Sequence, residues 1–322
     1  MSALPLRALA PAKINLGLFV GPLRADARHE LVSVMQSISL ADELTLEAAP
    51  PQAALPQGER PQAAPQGAQA DEVLCPEVEG PPSENLAARA LAAFRAATGW
   101  EAPPLRLTID KRIPVAAGLG GGSADAAAAL RLAMSASGLG GESLLLKLAA
   151  ELGADVPAQI RPGRWLATGA GEVLEELPDP VAPIGVLVLP VPQALSTAAV
   201  YAEADRLAKL RSASFLHERR HALHAAFDLG MSLPHDLDLL RNDLEAAARS
   251  LCPAIREALT EAGDAGAEPA LLSGSGPTVV GLFPRANALA ATERAVAGLA
   301  GRAPAPVAAH TVAADFARIN GS

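Results

Sequence analysis

Pro114-Val115-Ala116-Ala117-Gly118-Leu119-Gly120-Gly121-Gly122-Ser123-Ala124 is the stretch on which the fold and chemistry of this chain turn. Four of the five residues from Gly118 to Gly122 are glycine. Such backbone adopts positive φ without strain and approaches a ligand closely. The alternating run Leu105–Ile109 (LRLTI) leads in through Asp110-Lys111-Arg112, and an alanine-rich helix over Ala124–Ser137, closed by Gly138, leads out. Free N–H groups and the positive end of a helix dipole then converge, which makes an anion site. A strand–helix turn without a ligand is the competing reading. No lysine follows the glycines, so the GxxxxGK[ST] phosphate loop is absent. The dinucleotide fingerprint GxGxxG also fails, because Ser123 stands in its sixth position.

Working outward, Ala12–Val20, Val32–Leu40 and Glu43–Glu47 read as strands. Residues 49–82, rich in Pro, Gln, Ala and Gly, read as a mobile insertion with too little apolar surface to order firmly. Ser83 is the expected cap of a helix ending near Gly99, and Glu142–Leu152 reads as a helix stopped by Gly153. Gly163–Leu177 reads as two short strands turned at Gly169-Ala170-Gly171, and Ile184–Leu189 as a buried strand. Helices are expected around Ala198–Leu210, Ser214–Leu229 and Asp236–Ser250. Strands at Leu271-Leu272 and Thr278–Phe283 and a helix over Ala286–Gly301 follow. The pattern is α+β in two layers, without internal repeats. At 322 residues it suits two domains, expected at 1–168 and 169–322.

Half the residues are hydrophobic and 3% aromatic, so Ala, Leu and Val must fill the core. A net charge of −9, with no basic cluster, argues against nucleic acid as a partner and leaves a single phosphorylated ligand open. Cys75 and Cys252 are far apart and lack CxxC spacing, which fits reduced thiols. The first twenty residues carry no signal-peptide pattern, and no apolar run approaches the ~20 residues of a membrane span. A soluble, cytoplasmic protein with no membrane partner is expected. His217-Glu218-Arg219-Arg220-His221 matches the HExxH zinc signature. The adjacent arginines oppose a dication and the stretch is charged on every side, so it reads as a solvated helix.

The glycine stretch PVAAGLGGGSADAAA resembles the central motif of the GHMP kinase superfamily. Ala10-Pro11-Ala12-Lys13-Ile14-Asn15-Leu16 resembles its N-terminal motif, and Leu272-Ser273-Gly274-Ser275-Gly276-Pro277-Thr278 its C-terminal glycine motif. PAKINL, RADARHEL, IDKRIP, LGADVP and RNDLE (Arg241–Glu245) narrow the resemblance. They point to the branch acting on a cytidine diphosphate-linked methylerythritol in non-mevalonate isoprenoid synthesis. Another small-molecule kinase of homoserine or mevalonate type, or a non-catalytic ATP-sensing paralogue, are the alternatives. The resemblance implies a two-domain fold, an N-terminal ribosomal-S5-like α/β domain followed by a C-terminal α+β sandwich.

It also implies ATP as co-substrate in the Pro114–Ala124 loop and Mg²⁺, for which Ser123 is a ligand candidate. Asp155 would be the catalytic base and Lys13 would orient the attacking hydroxyl and neutralise phosphoryl charge. Serving as a local cap is the bland alternative for Asp155. Asn15 shares the face of Lys13 in a regular strand. His29 would bond the cytosine edge, Tyr201, the only tyrosine, would stack on its ring, and Ser273 to Gly276 would hold the diphosphate. The family's tyrosine before the histidine is here Arg28, whose planar guanidinium can also stack.

Overall fold

A computed structural model describes residues 4–50, 71–78, 80–208, 210–284 and 286–321. The central part of the expected 49–82 insertion, residues 51–70, lies outside them. Just after it, β3 (Glu72–Leu74) pairs in parallel with β4 (Leu105–Asp110). The insertion thus ends in ordered backbone.

The chain opens with two long antiparallel strands, β1 (Leu6–Leu23) and β2 (His29–Ala48). Their register shifts between Pro11 and Lys13, between Asn15 and Gly17, and between Val20 and Leu23. Such bulges re-aim side chains and gather next to active sites. The two strands expected at 32–40 and 43–47 are one strand, because Asp42, whose polarity breaks the apolar pattern, is fully buried within it.

Asn85, not Ser83, caps α1 (Leu86–Thr98); its carboxamide accepts from the Ala87 and Ala88 N–H groups. Ser83 sits in a preceding 3₁₀ turn. After β4 and the glycine loop comes α2 (Gly121–Ser137), which starts three residues before the expected Ala124 and ends at Gly138. Its many buried alanines let it lie close against β1 and α1. Then follow α3 (Glu142–Leu152), the short α4 (Val156–Ile160) and the hairpin β5 (Arg164–Thr168) and β6 (Val173–Leu177). Among the described residues the first sheet runs β11 (Asn320–Gly321)-β1-β2-β4-β3, with the hairpin attached to β2 through β5.

The second sheet, β10-β7-β9-β8, uses β7 (Gly185–Leu189), β8 (Ala270–Leu272), β9 (Val279–Phe283) and β10 (Val307–His310). Around it pack α5 (Thr197–Arg206), α6 (Ala213–Phe227), α7 (Glu245–Leu251), α8 (Ala254–Asp264) and α9 (Ala288–Gly298). The helix expected over 236–250 is a 3₁₀ turn at Leu237–Leu240 followed by α7, and α8 begins behind Pro253, a residue suited to a helix start. The last strand, β11 (Asn320–Gly321), returns to pair with β1.

A division after residue 168 would cut the β5–β6 hairpin, which belongs to the first sheet. We propose that the domain boundary falls between Leu177 and Gly185. One apolar cluster lies under α1–α3 and a second under α5, α7 and α8; a third joins the middle of β1 and β2 to β7 and β9. Among the described residues no helix is long and apolar enough to cross a membrane.

Candidate active site

The site grows from the bulged stretch of β1. Lys13 Nζ donates to Asn15 Oδ1 at 2.9 Å and stands 3.4 Å from Asp155 Oδ2. Asn15 Nδ2 in turn donates to Ser33 Oγ on β2 at 2.7 Å, and that hydroxyl donates to the Gly17 carbonyl at 2.7 Å. Lys13 is 7% exposed, and a buried ammonium is tolerated only when paired in this way. Asp155 precedes α4 but its side chain makes no capping hydrogen bond; it faces Lys13 across the cleft instead.

The glycine loop closes over this pair. Its Leu119 carbonyl accepts from the Lys13 backbone N–H at 2.9 Å. Ala116, Gly118 and Gly120 have φ of 52°, 78° and 71°, and a non-glycine in that region stores strain of the kind found at functional sites. A Cβ on Gly120 would lie 2.9 Å from Lys13 Cγ, so only glycine lets the loop approach the lysine. The early start of α2 aims the first N–H groups of the helix, from Gly121 onward, at the same cavity.

The second glycine loop, between β8 and β9, meets the first backbone to backbone. Ser273 Oγ donates to the Gly118 carbonyl at 3.1 Å, and a Cβ on Gly118 would lie 2.4 Å from the Ser273 carbonyl oxygen. Asn242 fixes this loop from beneath, Nδ2 donating to the Leu272 and Gly274 carbonyls at 2.9 and 2.7 Å. The same asparagine bridges Leu18 of β1. Both glycine loops are therefore tied to the strand that carries Lys13.

Together these parts line one cavity of 1090 Å³. Pro114 to Ser123 all border it, whereas Ala124 is buried beneath. Gly274, Ser275 and Gly276 border it too; Ser273 does not, its buried hydroxyl being engaged by Gly118. Ser275 Oγ is 2.9 Å from Thr197 Oγ1 on α5. Beside the first loop, Lys111 joins Asp42 and Asp125, the latter at 2.8 Å. Burial pushes the Asp125 carboxyl up to about 7 against the pull of Lys111. Asp42 also accepts from the Arg112 and Ile113 N–H groups, pinning the entrance to the loop.

At the opposite end His29 stacks on Tyr201, ring centroids 5.3 Å apart at 27°. That spacing leaves no room for a third ring between them, which needs about 7 Å. Burial raises the Tyr201 phenol to about 12, with the Asp155 charge adding to the effect. Arg28 borders the cavity with its guanidinium held by Asp26 at 3.0 and 3.2 Å. The imidazoles of His217 and His221, on α6, contact each other at 3.2 Å and lie outside the cavity. Arg219 stacks over Phe19 and Phe215, and Arg220 pairs with Glu175.

Sequence reasoning placed Lys13, Asn15, His29, Asp155, Tyr201 and both glycine loops, and the fold brings all of these but Ser273 and Ala124 to the wall of one cavity. It gave no role to Ser33, Asp42, Lys111, Asp125, Asp205 or Asn242. The IDKRIP and RNDLE segments were the signal for Lys111 and Asn242, whose partners lie far away in the chain.

Residues 85–163 match the GHMP kinases N terminal domain and 220–300 the GHMP kinases C terminal. Two glycine loops closing on a lysine–aspartate pair, in this two-sheet fold, define a GHMP-type small-molecule kinase. The chain is 39% identical over 304 residues to 4-diphosphocytidyl-2-C-methyl-D-erythritol kinase of Anaeromyxobacter dehalogenans, covering 91% of this chain and 87% of that one. It is 42% identical over 278 residues, 83% of each chain, to the same enzyme of Thermobifida fusca. A crystal structure of 4-(cytidine 5'-diphospho)-2C-methyl-D-erythritol kinase superposes with a TM-score of 0.72 at 30% identity, covering 95% of this chain and 98% of that one. A homoserine kinase from Cytophaga hutchinsonii, at 16% identity and a TM-score of 0.67, shares the fold. The chain belongs to the 4-diphosphocytidyl-2-C-methyl-D-erythritol kinase family.

Proposed function

We propose that this chain transfers the γ-phosphoryl group of ATP to the 2-hydroxyl of 4-diphosphocytidyl-2-C-methyl-D-erythritol, in non-mevalonate isoprenoid precursor biosynthesis. The observation that carries this reading is the Lys13–Asp155 pair, 3.4 Å apart where the two glycine loops meet, in a chain of that family. The ATP phosphates take the N–H groups of the Pro114–Ser123 loop and the start of α2. The substrate diphosphate takes the loop at Gly274–Gly276. Asp155 accepts the proton of the 2-hydroxyl as its oxygen attacks the γ-phosphorus, and ADP leaves. Lys13, held by Asn15, orients that hydroxyl and offsets charge on the group in transfer.

Mg²⁺ belongs to this reading, and the residues fit it. Ser123 borders the cavity, and Asp125 Oδ1 is a buried carboxylate oxygen with no hydrogen-bond partner among the described residues; both are the hard oxygen donors this ion takes. Ser123 and Asp125 would hold the ion, and it would neutralise charge on the β- and γ-phosphates. The cytidyl end falls to Arg28, His29 and Tyr201, and the cytoplasm is the compartment we assign. A coupled ADP-release assay against the cytidyl substrate, homoserine, mevalonate and galactose tests the proposal. Turnover with the first alone is expected; turnover with only one of the other three would overturn it.

A further inference from the structure

Several carboxylates lie near the end of the cavity assigned above to the cytidyl base, and those outside its lining are occupied. Asp26 accepts from Arg24 and Arg28, and Glu172 accepts from Arg24 at 2.7 Å. Asp205 differs. It lies on α5 four residues after Tyr201, on the same helix face, and its carboxylate borders the cavity. Among the described residues its only side-chain partner is His29, whose Nε2 is 3.4 Å from Oδ2. The other ring nitrogen, Nδ1, is 3.0 Å from the Gly21 carbonyl. That carbonyl can only accept, so Nδ1 carries a proton and the ring is held edge-on to Asp205. The Asp205 side chain remains 46% exposed, and the residue lines the cavity.

We infer that Asp205 is a specificity-determining residue that accepts a hydrogen bond from the exocyclic amine of cytosine and thereby rejects uracil. Cytosine places an amino donor beside a ring-nitrogen acceptor, and uracil inverts both positions. An ionised carboxylate only accepts. It therefore pairs with the cytosine amine but meets the O4 carbonyl of uracil as acceptor against acceptor. Carboxylate-to-amine contacts are an established way of reading cytosine, and a side-chain contact of this kind discriminates by about tenfold to a hundredfold.

This inference rests on the cytidyl substrate proposed above. It is tested with steady-state kinetics on paired cytidine- and uridine-diphosphate-linked methylerythritol for the wild type, Asp205→Asn and Asp205→Ala. The wild type is expected to favour the cytidyl compound. Asp205→Asn, whose amide presents either a donor or an acceptor, is expected to lower the cytidyl/uridyl ratio of kcat/KM at least about tenfold. The change should sit in KM for the cytidyl substrate, with KM for ATP and saturating kcat within about threefold of wild type. A ratio that stays within twofold in both variants overturns the inference while leaving the proposed reaction intact. Parallel loss of kcat and ATP affinity at unchanged ratio also overturns it, by showing a structural role. Wild-type protein inactive on both compounds overturns the proposed reaction and this inference with it.

Discussion

Replacing Gly118 by alanine tests the claim that the site exists only because two glycine loops touch. The new Cβ would lie 2.4 Å from the Ser273 carbonyl oxygen and 2.9 Å from that of Gly276. Both neighbours are backbone, so no side chain can swing away. Restoring ordinary contact requires the loops to separate by about 1 Å. At φ 78° the alanine also carries a left-handed penalty of about 1–2 kcal/mol. Weakening the bond from Ser273 Oγ to the Gly118 carbonyl adds about 1 kcal/mol, for a total near 2–3 kcal/mol of stability. Shifting the loops by this amount misaligns donor and acceptor phosphoryl positions, and a 1 Å error costs on the order of 100-fold in rate. The coupled ADP-release assay should therefore show kcat/KM down about 100-fold, with a lower melting temperature. Gly122→Ala is the stability control: among the described residues its Cβ meets only Leu86 Cδ1 at 3.8 Å, and alanine is the better helix former, so its melting temperature should hold or rise. A Gly118→Ala enzyme within threefold of wild type would show that the two loops need not be in contact for catalysis.

Asp155→Asn should lower kcat about 10²- to 10⁴-fold with KM for ATP nearly constant; surviving turnover would remove Asp155 as the base. Asn242→Ala, which strips donors from the Leu272 and Gly274 carbonyls, should cost about 1–3 kcal/mol in denaturant unfolding and raise KM for the cytidyl substrate; unchanged values would refute its bracing role. Glu203 bonds Arg206 and Ser250, with its carboxyl held down at about 2 by Arg206 and then Ser250. A depressed folded-state value means its stabilisation is present above the unfolded carboxylate range and is lost as pH falls toward 2. The stability difference between wild type and Glu203→Gln should be constant from pH 5 to 8 and shrink below pH 4.5; a difference that persists at pH 2 would refute the assignment.

Local chemistry made much of the fold legible. The β5–β6 hairpin and the Gly138 helix stop follow from turn glycines and short-range periodicity, and so does the approach to the glycine loop. What escaped depends on distant partners. Asp42 reads as a break between strands until Lys111 and the Arg112 and Ile113 amides are found around it. Gly121 and Gly122 are poor helix formers, yet they enter α2 because the loop must lie against Lys13 and Ile113. Asn242 leaves the expected helix because it bridges Leu18 and the second glycine loop. Among the site residues, those on the three glycine- and lysine-bearing motifs were readable. Asp205 was not, since nothing near it in sequence reveals that it faces His29.

The bond from Ser273 to Gly118 spans 155 residues, and the one from Val20 to Asp243 spans 223. Contacts of such separation form late, because the loop entropy they close is lost before their energy is gained. In refolding, α2 and α3 can regain helical signal from neighbours close in sequence well before the phosphate cradle closes. Recovered catalysis should then lag recovered circular dichroism. During synthesis the ribosome must extend the chain past Gly276 before Lys13 can meet its second glycine loop. Enzyme activity in this protein reports the closure of contacts 155 and 223 residues apart rather than of any local unit.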